Sequence, residues 1–388
     1  MKRDSADVVV IGAGVSGLSS AYFLARAGMH VVVVEKGSVG DEASGRSGGM
    51  ISDRIVEPPL VPTALASLKI WSTLDDELGY PTEFVHQGRL HVALTEEEMG
   101  EIFTEREAAP KYGVEVNQVD LPEMQDMIPG ISPQVLGGNF FPNGGHANPQ
   151  RTVQAYAWAF QDRGGRLYQH TTVIGINVVD GKVSSVETSA GAIATEVVVS
   201  AAGPQTGLIG EMAGVRVPVA PARVEIIATV PLEPRFKIAL VGSGLYGRQS
   251  TRGNLLFGGG AHEWTDVNLT SDPAKPNTPM IRNIARRLAE LLPEAENTRL
   301  LRSWAGIVEQ TPDQFPIIDR LGHPEGFVVV TASAHGFGLS PATGLAVSQL
   351  VIDGVCSFDI SGLKLSRFAK IDKSWRQAWG WEKGAYNT

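Results

Sequence analysis

The sequence predicts an α/β plus α+β protein, in which a parallel, helix-backed layer is interleaved with a second domain built on a mainly antiparallel sheet. Three observations carry this. Asp7 to Lys36, DVVVIGAGVSGLSSAYFLARAGMHVVVVEK, runs as apolar strand, glycine turn, amphipathic helix and second apolar strand. A second strand, glycine loop and helix start follow near the C-terminus, in GFVVVTASAHGFGLSPATGLAVSQL. Between them, residues 218–312 alternate apolar and polar positions, as in ARVEIIATV and NLLFGGGAH, with one amphipathic helix from about Pro279 to Leu292.

Val8 to Ile11 is continuously β-branched, the signature of a parallel strand buried on both faces. Gly12, Gly14 and Gly17 follow with the spacing GxGxxG. The first permits a tight turn, the second lets backbone approach a pyrophosphate, and the third packs helix on strand. The helix spans about Val15 to Arg26 and Gly28 is placed to end it. Its start, with Val15 and Ser16, offers free N–H groups and a positive dipole end to phosphate. Val31 to Val34 then ends in Glu35, placed to accept ribose hydroxyls, with Lys36 beside it. This Rossmann-like unit is expected to bind an adenine dinucleotide. A second GxGxxG, at Gly242, Gly244 and Gly247, leads into RQSTRGN, which has no helical stripe. It reads as a glycine-rich strand connection, so one nucleotide site is expected.

The chain has 388 residues, 43% hydrophobic and 19% charged, the profile of a soluble globular protein on two-domain scale. A net charge of −9 argues against nucleic-acid binding. Apolar runs are only strand-sized, so no membrane span is expected. Lys2 and Arg3 ahead of an apolar run mimic a leader, but cleavage there would destroy the nucleotide unit. Cys356 is the only cysteine, which excludes an internal disulfide and fits a reducing, cytoplasmic setting. The eight histidines lack metal-ligand spacing, so no metal site is expected.

Further elements follow in order. Leu65 to Leu78 reads as one helix, Val85 to Leu94 as a strand, Glu96 to Lys111 as an exposed helix, and Pro122, Pro129 and Pro133 as turns. A helix from about Pro149 to Asp162 leads to strands separated by Asp180-Gly181 and Ala190-Gly191. These end in Val197 to Val199 and the small patch Ala201-Ala202-Gly203. Phe327 to Thr331 is a buried-type strand, and Pro341 to Leu350 a helix with Ser340 as its N-cap.

After Glu35 comes a Gly/Ser-rich loop holding Ala43-Ser44-Gly45-Arg46-Ser47-Gly48-Gly49, followed by Met50. With the N-terminal unit, and with Gly336-Phe337-Gly338-Leu339-Ser340 at the far end, this loop resembles the flavin contacts of the FAD-dependent D-amino acid oxidase and sarcosine oxidase superfamily, glycine oxidases included. The resemblance spans essentially the whole chain. It implies that the loop lies along the pyrophosphate and ribityl chain, and that the C-terminal helix start points at the flavin ring. Val173 would touch the adenine, though a plain core role suits it equally; Ala202, Gly203 and Gly306 would pass beside the cofactor. It also implies an FAD-binding domain of residues 1–84, 146–217 and 313–388, and a substrate domain of 85–145 and 218–312.

The implied chemistry is oxidation of the C–N bond of a small amine or amino acid to an imine, with hydride passing to the flavin. His335 would accept an amine proton or hydrogen-bond the cofactor. Tyr246 and Arg248 fall where the family places its substrate cavity, and an arginine there would grip a carboxylate or else sit on an edge strand. Arg54 is a second clamp candidate. Four departures matter. The arginine usual just after the tryptophan motif is missing from Trp304 to Glu309. Val308 to Asp313 contains no cysteine to attach flavin, and the first loop offers Arg46 where related dehydrogenases have histidine. Asn254 to Gly260 lacks the lysine that promotes reaction with oxygen. Non-covalent FAD is therefore expected, with oxygen or another electron acceptor. The open alternatives are a β-type subunit of a hetero-oligomeric amine or amino acid dehydrogenase, or a flavin oxidoreductase with a non-amine substrate; a homo- or hetero-oligomer fits either.

Overall fold

A computed structural model describes residues 4–53, 56–260, 262–270, 274–372 and 374–381. Among these, a six-stranded sheet runs in the order Ile318–Arg320, Phe327–Val330, Val197–Ser200, Val8–Ile11, Val31–Val34, Arg166–Tyr168, parallel except at its first strand. Its four central strands read FVVV, VVVS, VVVI and VVVV. In a parallel sheet covered on both faces no position faces water, so none needs a polar side chain. Val8, Val10, Val31 and Val33 pack under the helices, and Val9, Ile11, Val32 and Val34 under a four-stranded sheet of Asp4–Ser5, Gly191–Ala194, Lys182–Thr188 and Val173–Val179.

The first helix, Val15–Arg26, packs between the helices Pro149–Asp162 and Gly336–Ile352. Gly12 has φ +106, and a Cβ there would lie 2.4 Å from the Ala201 carbonyl oxygen. A Cβ at Gly17 would lie 2.0 Å from the Gly12 oxygen. Strand and helix therefore approach at glycine-only distance. Gly28, at φ +90, closes the helix as expected.

The second sheet has nine strands. Its path is Glu263–Trp264, Ala220–Thr229, Leu255–Gly259, Leu245–Gln249, Ala239–Gly242, Arg89–Ala93, Gly137–Phe141, Asn117–Val119, and Leu300–Gln310 pairs with Ala220–Thr229. Most pairings are antiparallel. The helix Thr278–Leu291 covers its far face through Ile284, Leu288 and Leu291. The second GxGxxG lies on the hairpin joining Ala239–Gly242 to Leu245–Gln249, a strand connection as read.

Several elements depart from the sequence reading. Leu65 to Leu78 is two helices, Val61–Trp71 and Leu74–Leu78. The strand expected from Val85 covers only Arg89–Ala93, with an isolated bridge at Val85. The exposed helix ends at Ala108 and tightens into a 3₁₀ turn, Ala109–Tyr112. Pro122 stands in the first turn of a helix, Leu121–Met127, whose capping box joins Asp120 and Glu123. Proline is tolerated there because its missing N–H would have no partner. Ser340 is not an N-cap: the C-terminal helix already begins at Gly336, with His335 at the cap position. Pro341, inside the helix, cannot donate to the carbonyl of Phe337, and the Ser340 hydroxyl does so instead at 2.8 Å.

Candidate functional site

Gly12 and Gly338, far apart in sequence, open onto one cavity of about 820 Å³, within the range of small-molecule sites. Neither helix that starts here has an acidic residue in its first turn, so both present uncompensated N–H groups. Gly12, Gly14, Val15 and Ser16 line one end. Glu35 and Lys36 stand beside them. The Glu35 carboxylate accepts from the N–H of Ala13 at 2.8 Å and of Gly37 at 2.7 Å, which holds the ribose-side acid in place. Val173, Ala202 and Gly203 complete this end.

The Gly/Ser loop forms the middle. Ser44, Arg46, Ser47 and Met50 line the cavity. The Ser44 hydroxyl accepts from Val15 N–H at 2.9 Å, tying loop to helix start. Arg46 donates to the carbonyls of Asp41 and Ala305, and Trp304 Nε1 donates to the Arg46 carbonyl, so this arginine joins the loop to the second sheet beside Gly306. Gly17, Gly45, Gly48 and Gly49 lie behind the lining. A Cβ at Gly45 would come 2.3 Å from the Gly40 oxygen, one at Gly49 2.1 Å from the Ala147 oxygen, and one at Gly48 3.1 Å from the Tyr246 ring. Their part is close packing.

Gly336, Phe337, Gly338 and Leu339 also line the cavity, with Gly336 beside the first helix start, where a Cβ would come 3.5 Å from Ser16 Oγ. Ser67 Oγ and Trp71 Nε1 both donate to the Gly338 carbonyl, at 2.7 and 2.9 Å, and so fix where this helix start points. Ser340 is fully buried behind it. His335 lines the cavity with Nε2 3.7 Å from Glu57 Oε1. Arg54 lies outside the described residues.

The second sheet forms the remaining wall. Ile226, Gly258, Tyr246, Val241, His91 and Asn139 are successive cross-strand partners, so they form one rung on one face. Ile226, Tyr246, Val241 and His91 of this rung line the cavity. Burial pushes the Tyr246 phenol up. Arg248, one rung along, is buried, donates through Nε to the Gly48 carbonyl at 3.3 Å and is not among the lining residues. Burial, with the Arg248 guanidinium, pushes His146 down to about 4.

Sequence reasoning missed several groups. Glu309 lines the cavity; its Oε1 accepts from Ala332 N–H at 2.5 Å, and burial raises its carboxyl above the ordinary range. Ser67 and Trp71 carried no signal beyond a helical stripe. His91, Arg89 and Glu105 cluster at the cavity's far end. The approach of Tyr246 to Gly48 is a long-range contact that no local pattern announces. His262, also in the lining, stacks on Trp381 at 4.5 Å. Trp381 packs with Trp264, Trp375 and Trp379, and the Trp264 N–H donates to the Trp381 carbonyl at 2.8 Å.

Comparison with known proteins yields a family described as FAD dependent oxidoreductase, matching residues 7–350. The chain is 30% identical over 375 residues to a glycine oxidase of Geobacillus kaustophilus, covering 93% of this chain and 97% of that protein. It is 28% identical over 382 residues to a sarcosine oxidase subunit beta of Rhodobacter capsulatus, covering 95% and 90%. Among solved structures, an L-proline dehydrogenase from P. horikoshii matches with TM-score 0.88 and 26% identity, covering 95% of this chain and 99% of that one.

Proposed function

This chain belongs to the FAD dependent oxidoreductase family, and from that premise we propose that it oxidises the C–N bond of a small amine or amino acid to an imine. The observation that carries the reading is the convergence of two glycine-bearing helix starts on one elongated cavity. The residues present fit FAD. Gly12 and Gly14 offer bare backbone where phosphates would lie, Glu35 stands where ribose hydroxyls would be accepted, and the Gly336 helix start, beside Ser16, faces the same cavity. When bound, the flavin supplies the hydride acceptor.

The chain's own residues do the rest. The first helix start, Glu35 and the Ser44-bearing loop hold the dinucleotide; Lys36, Val173, Ala202 and Gly203 flank it. The N–H groups of Gly336 to Leu339 favour negative charge at the ring end. Phe337, Ile226, Val241 and Tyr246 exclude water from the substrate face. His335 Nε2 and Glu309 are the titratable groups placed to take a proton from the substrate ammonium. Arg248 donates to the Gly48 carbonyl just behind the lining; it acts as the carboxylate clamp by turning from that carbonyl into the cavity, and Arg248→Ala is expected to raise half-saturation more than it slows saturated turnover.

FAD is held non-covalently: no cysteine lines the cavity among the described residues, and Cys356 packs against the apolar core. Sheet membership supports the interleaved division into FAD and substrate domains given above. No helix among the described residues is long and apolar enough to cross a membrane, and with a single cysteine the chain is assigned to the cytoplasm. A second reading, a β-type subunit that passes electrons to an acceptor other than oxygen, is favoured by similarity to a sarcosine oxidase subunit beta and an L-proline dehydrogenase. One experiment tests both. Purified protein is expected to release FAD on denaturation, and its flavin to bleach anaerobically with a member of an amine and amino acid panel. Reoxidation by oxygen or only by a dye then separates the readings. Colourless protein that takes up no FAD, or flavin that no amine bleaches, overturns the proposal.

A further inference from the structure

The cavity does not stop at Tyr246. It continues along the rung of the second sheet, over Val241 to His91, where Arg89 and Glu105 also line it. Tyr246 and His91 are two strands apart, about 10 Å at the usual interstrand spacing of about 4.8 Å. The floor between them is the apolar side chain of Val241, which pairs with Tyr246 on one side and His91 on the other. A glycine-sized substrate seated at Tyr246 would leave this extension empty.

The far end is a built polar site. His91 Nδ1 lies 2.9 Å from Glu105 Oε2, and both terminal nitrogens of Arg89 lie 3.4 Å from Glu105 Oε1. Asn139 donates to the Ile102 carbonyl at 2.7 Å and reaches Glu105 Oε2 at 3.5 Å. Arg89 is buried and stacks over the Phe141 ring at 4.2 Å. Arg89 and His91 together hold the Glu105 carboxyl down at about 2, so it is an acceptor only. The Nδ1 proton of His91 therefore goes to Glu105, and Nε2 is the ring nitrogen without a partner among the described residues. A carboxylate that orients an imidazole also adds negative potential behind it.

We propose that Arg89, His91 and Glu105 form a distal subsite that binds the far end of an elongated substrate, a protonated amine donating to His91 Nε2 about 10 Å from Tyr246. The inference rests on the amine-oxidising reading and narrows its substrate class to amines carrying a second cationic group at that distance. Glu105 is a positioning residue: it fixes which imidazole nitrogen faces the cavity. Arg89 holds Glu105 in turn.

Direct binding tests this apart from turnover. Straight-chain α,ω-diamines about 10 Å long, monoamines of equal length and ω-amino carboxylates are titrated into the purified holoenzyme by calorimetry. The diamine is expected to bind tenfold or more tighter than the monoamine, as a hydrogen bond to a charged group implies, and the amino carboxylate no tighter than the monoamine. His91→Phe is expected to erase the diamine preference, with FAD content as the control on folding. His91→Gln, which keeps an acceptor, restores part of it and guards against a folding defect in the first variant. Equal affinity for diamine and monoamine, preference for the carboxylate, or a preference that survives in His91→Phe overturns the subsite. Selective diamine binding by a protein whose flavin no amine bleaches would leave the subsite standing and remove the amine-oxidising reading instead.

Discussion

The two large sheets that meet at the cavity are built on opposite principles. The six-stranded sheet has valine at nearly every central position and shapes its end of the site with backbone: glycine turns, helix starts and one carboxylate held by amides. The nine-stranded sheet buries Arg89, Glu225, Arg248, Glu263 and Glu309 among its strands. Its end of the site is made of side chains gathered from segments more than two hundred residues apart. A backbone-made site tolerates almost no change in shape, whereas a side-chain-made site tolerates change in shape and depends on charge. In the proposed reading the backbone-made end takes the cofactor and the side-chain-made end the substrate, so substrate selectivity is expected to respond to changes in the second.

The contrast can be broken most severely at Gly12. Gly12→Val places a side chain against the Ala201 carbonyl at φ +106 and is expected to abolish flavin incorporation, read from the absorbance of the purified protein; retained flavin would show that backbone shape is not what governs this end. On the charged sheet, Glu105→Leu strips Arg89 and His91 of their shared partner. Denaturant unfolding is expected to show a loss of about 3–5 kcal/mol with flavin still bound, and an unchanged midpoint would refute the dependence on charge. Glu225 tests the same point through pH. Burial with Glu263 nearby raises its carboxyl from 4.5 to about 7. An acid whose folded value is raised keeps its proton longer when folded, so its contribution is full below pH 4.5 and is lost as pH rises toward 7. The loss is expected to be about 1–3 kcal/mol, and Glu225→Gln should flatten that part of the stability profile. The smallest effect lies behind the C-terminal helix start, where the helix Val61–Trp71 packs on it. Ser67→Ala removes one of two donors to the Gly338 carbonyl, for an expected loss of about 1 kcal/mol and a weaker flavin affinity. Equal flavin retention through dialysis in both proteins would show that Trp71 holds the helix start unaided.

The same contrast explains what the sequence made legible. Gly12, Gly14, Gly17 and Glu35 act within thirty residues and through backbone, so spacing alone exposes them, and the loop from Ser44 to Met50 follows at once. The far helix start at Gly336 was legible as a strand, glycine loop and helix. Its exact beginning was not, because Ser340 looks like a cap and Pro341 like a first residue, while the hydroxyl in fact serves the carbonyl that the proline leaves bare. Pro122 misled for the related reason that a proline in a first turn and one in a loop look alike without the Asp120–Glu123 cap. His91 gave no signal at all. Its importance depends on Glu105 from a helix, Val241 from a distant strand and the register that sets Tyr246 in line with it, none of which is a local property.

Four of the chain's seven tryptophans, Trp264, Trp375, Trp379 and Trp381, sit in one cluster, and Trp381 stacks on His262 in the cavity wall. The molecule therefore carries its own optical reporter. Those four of its seven tryptophans sit at one spot beside the cavity, so occupancy of the cavity and seating of the C-terminal segment are both expected to change its intrinsic fluorescence, without a label.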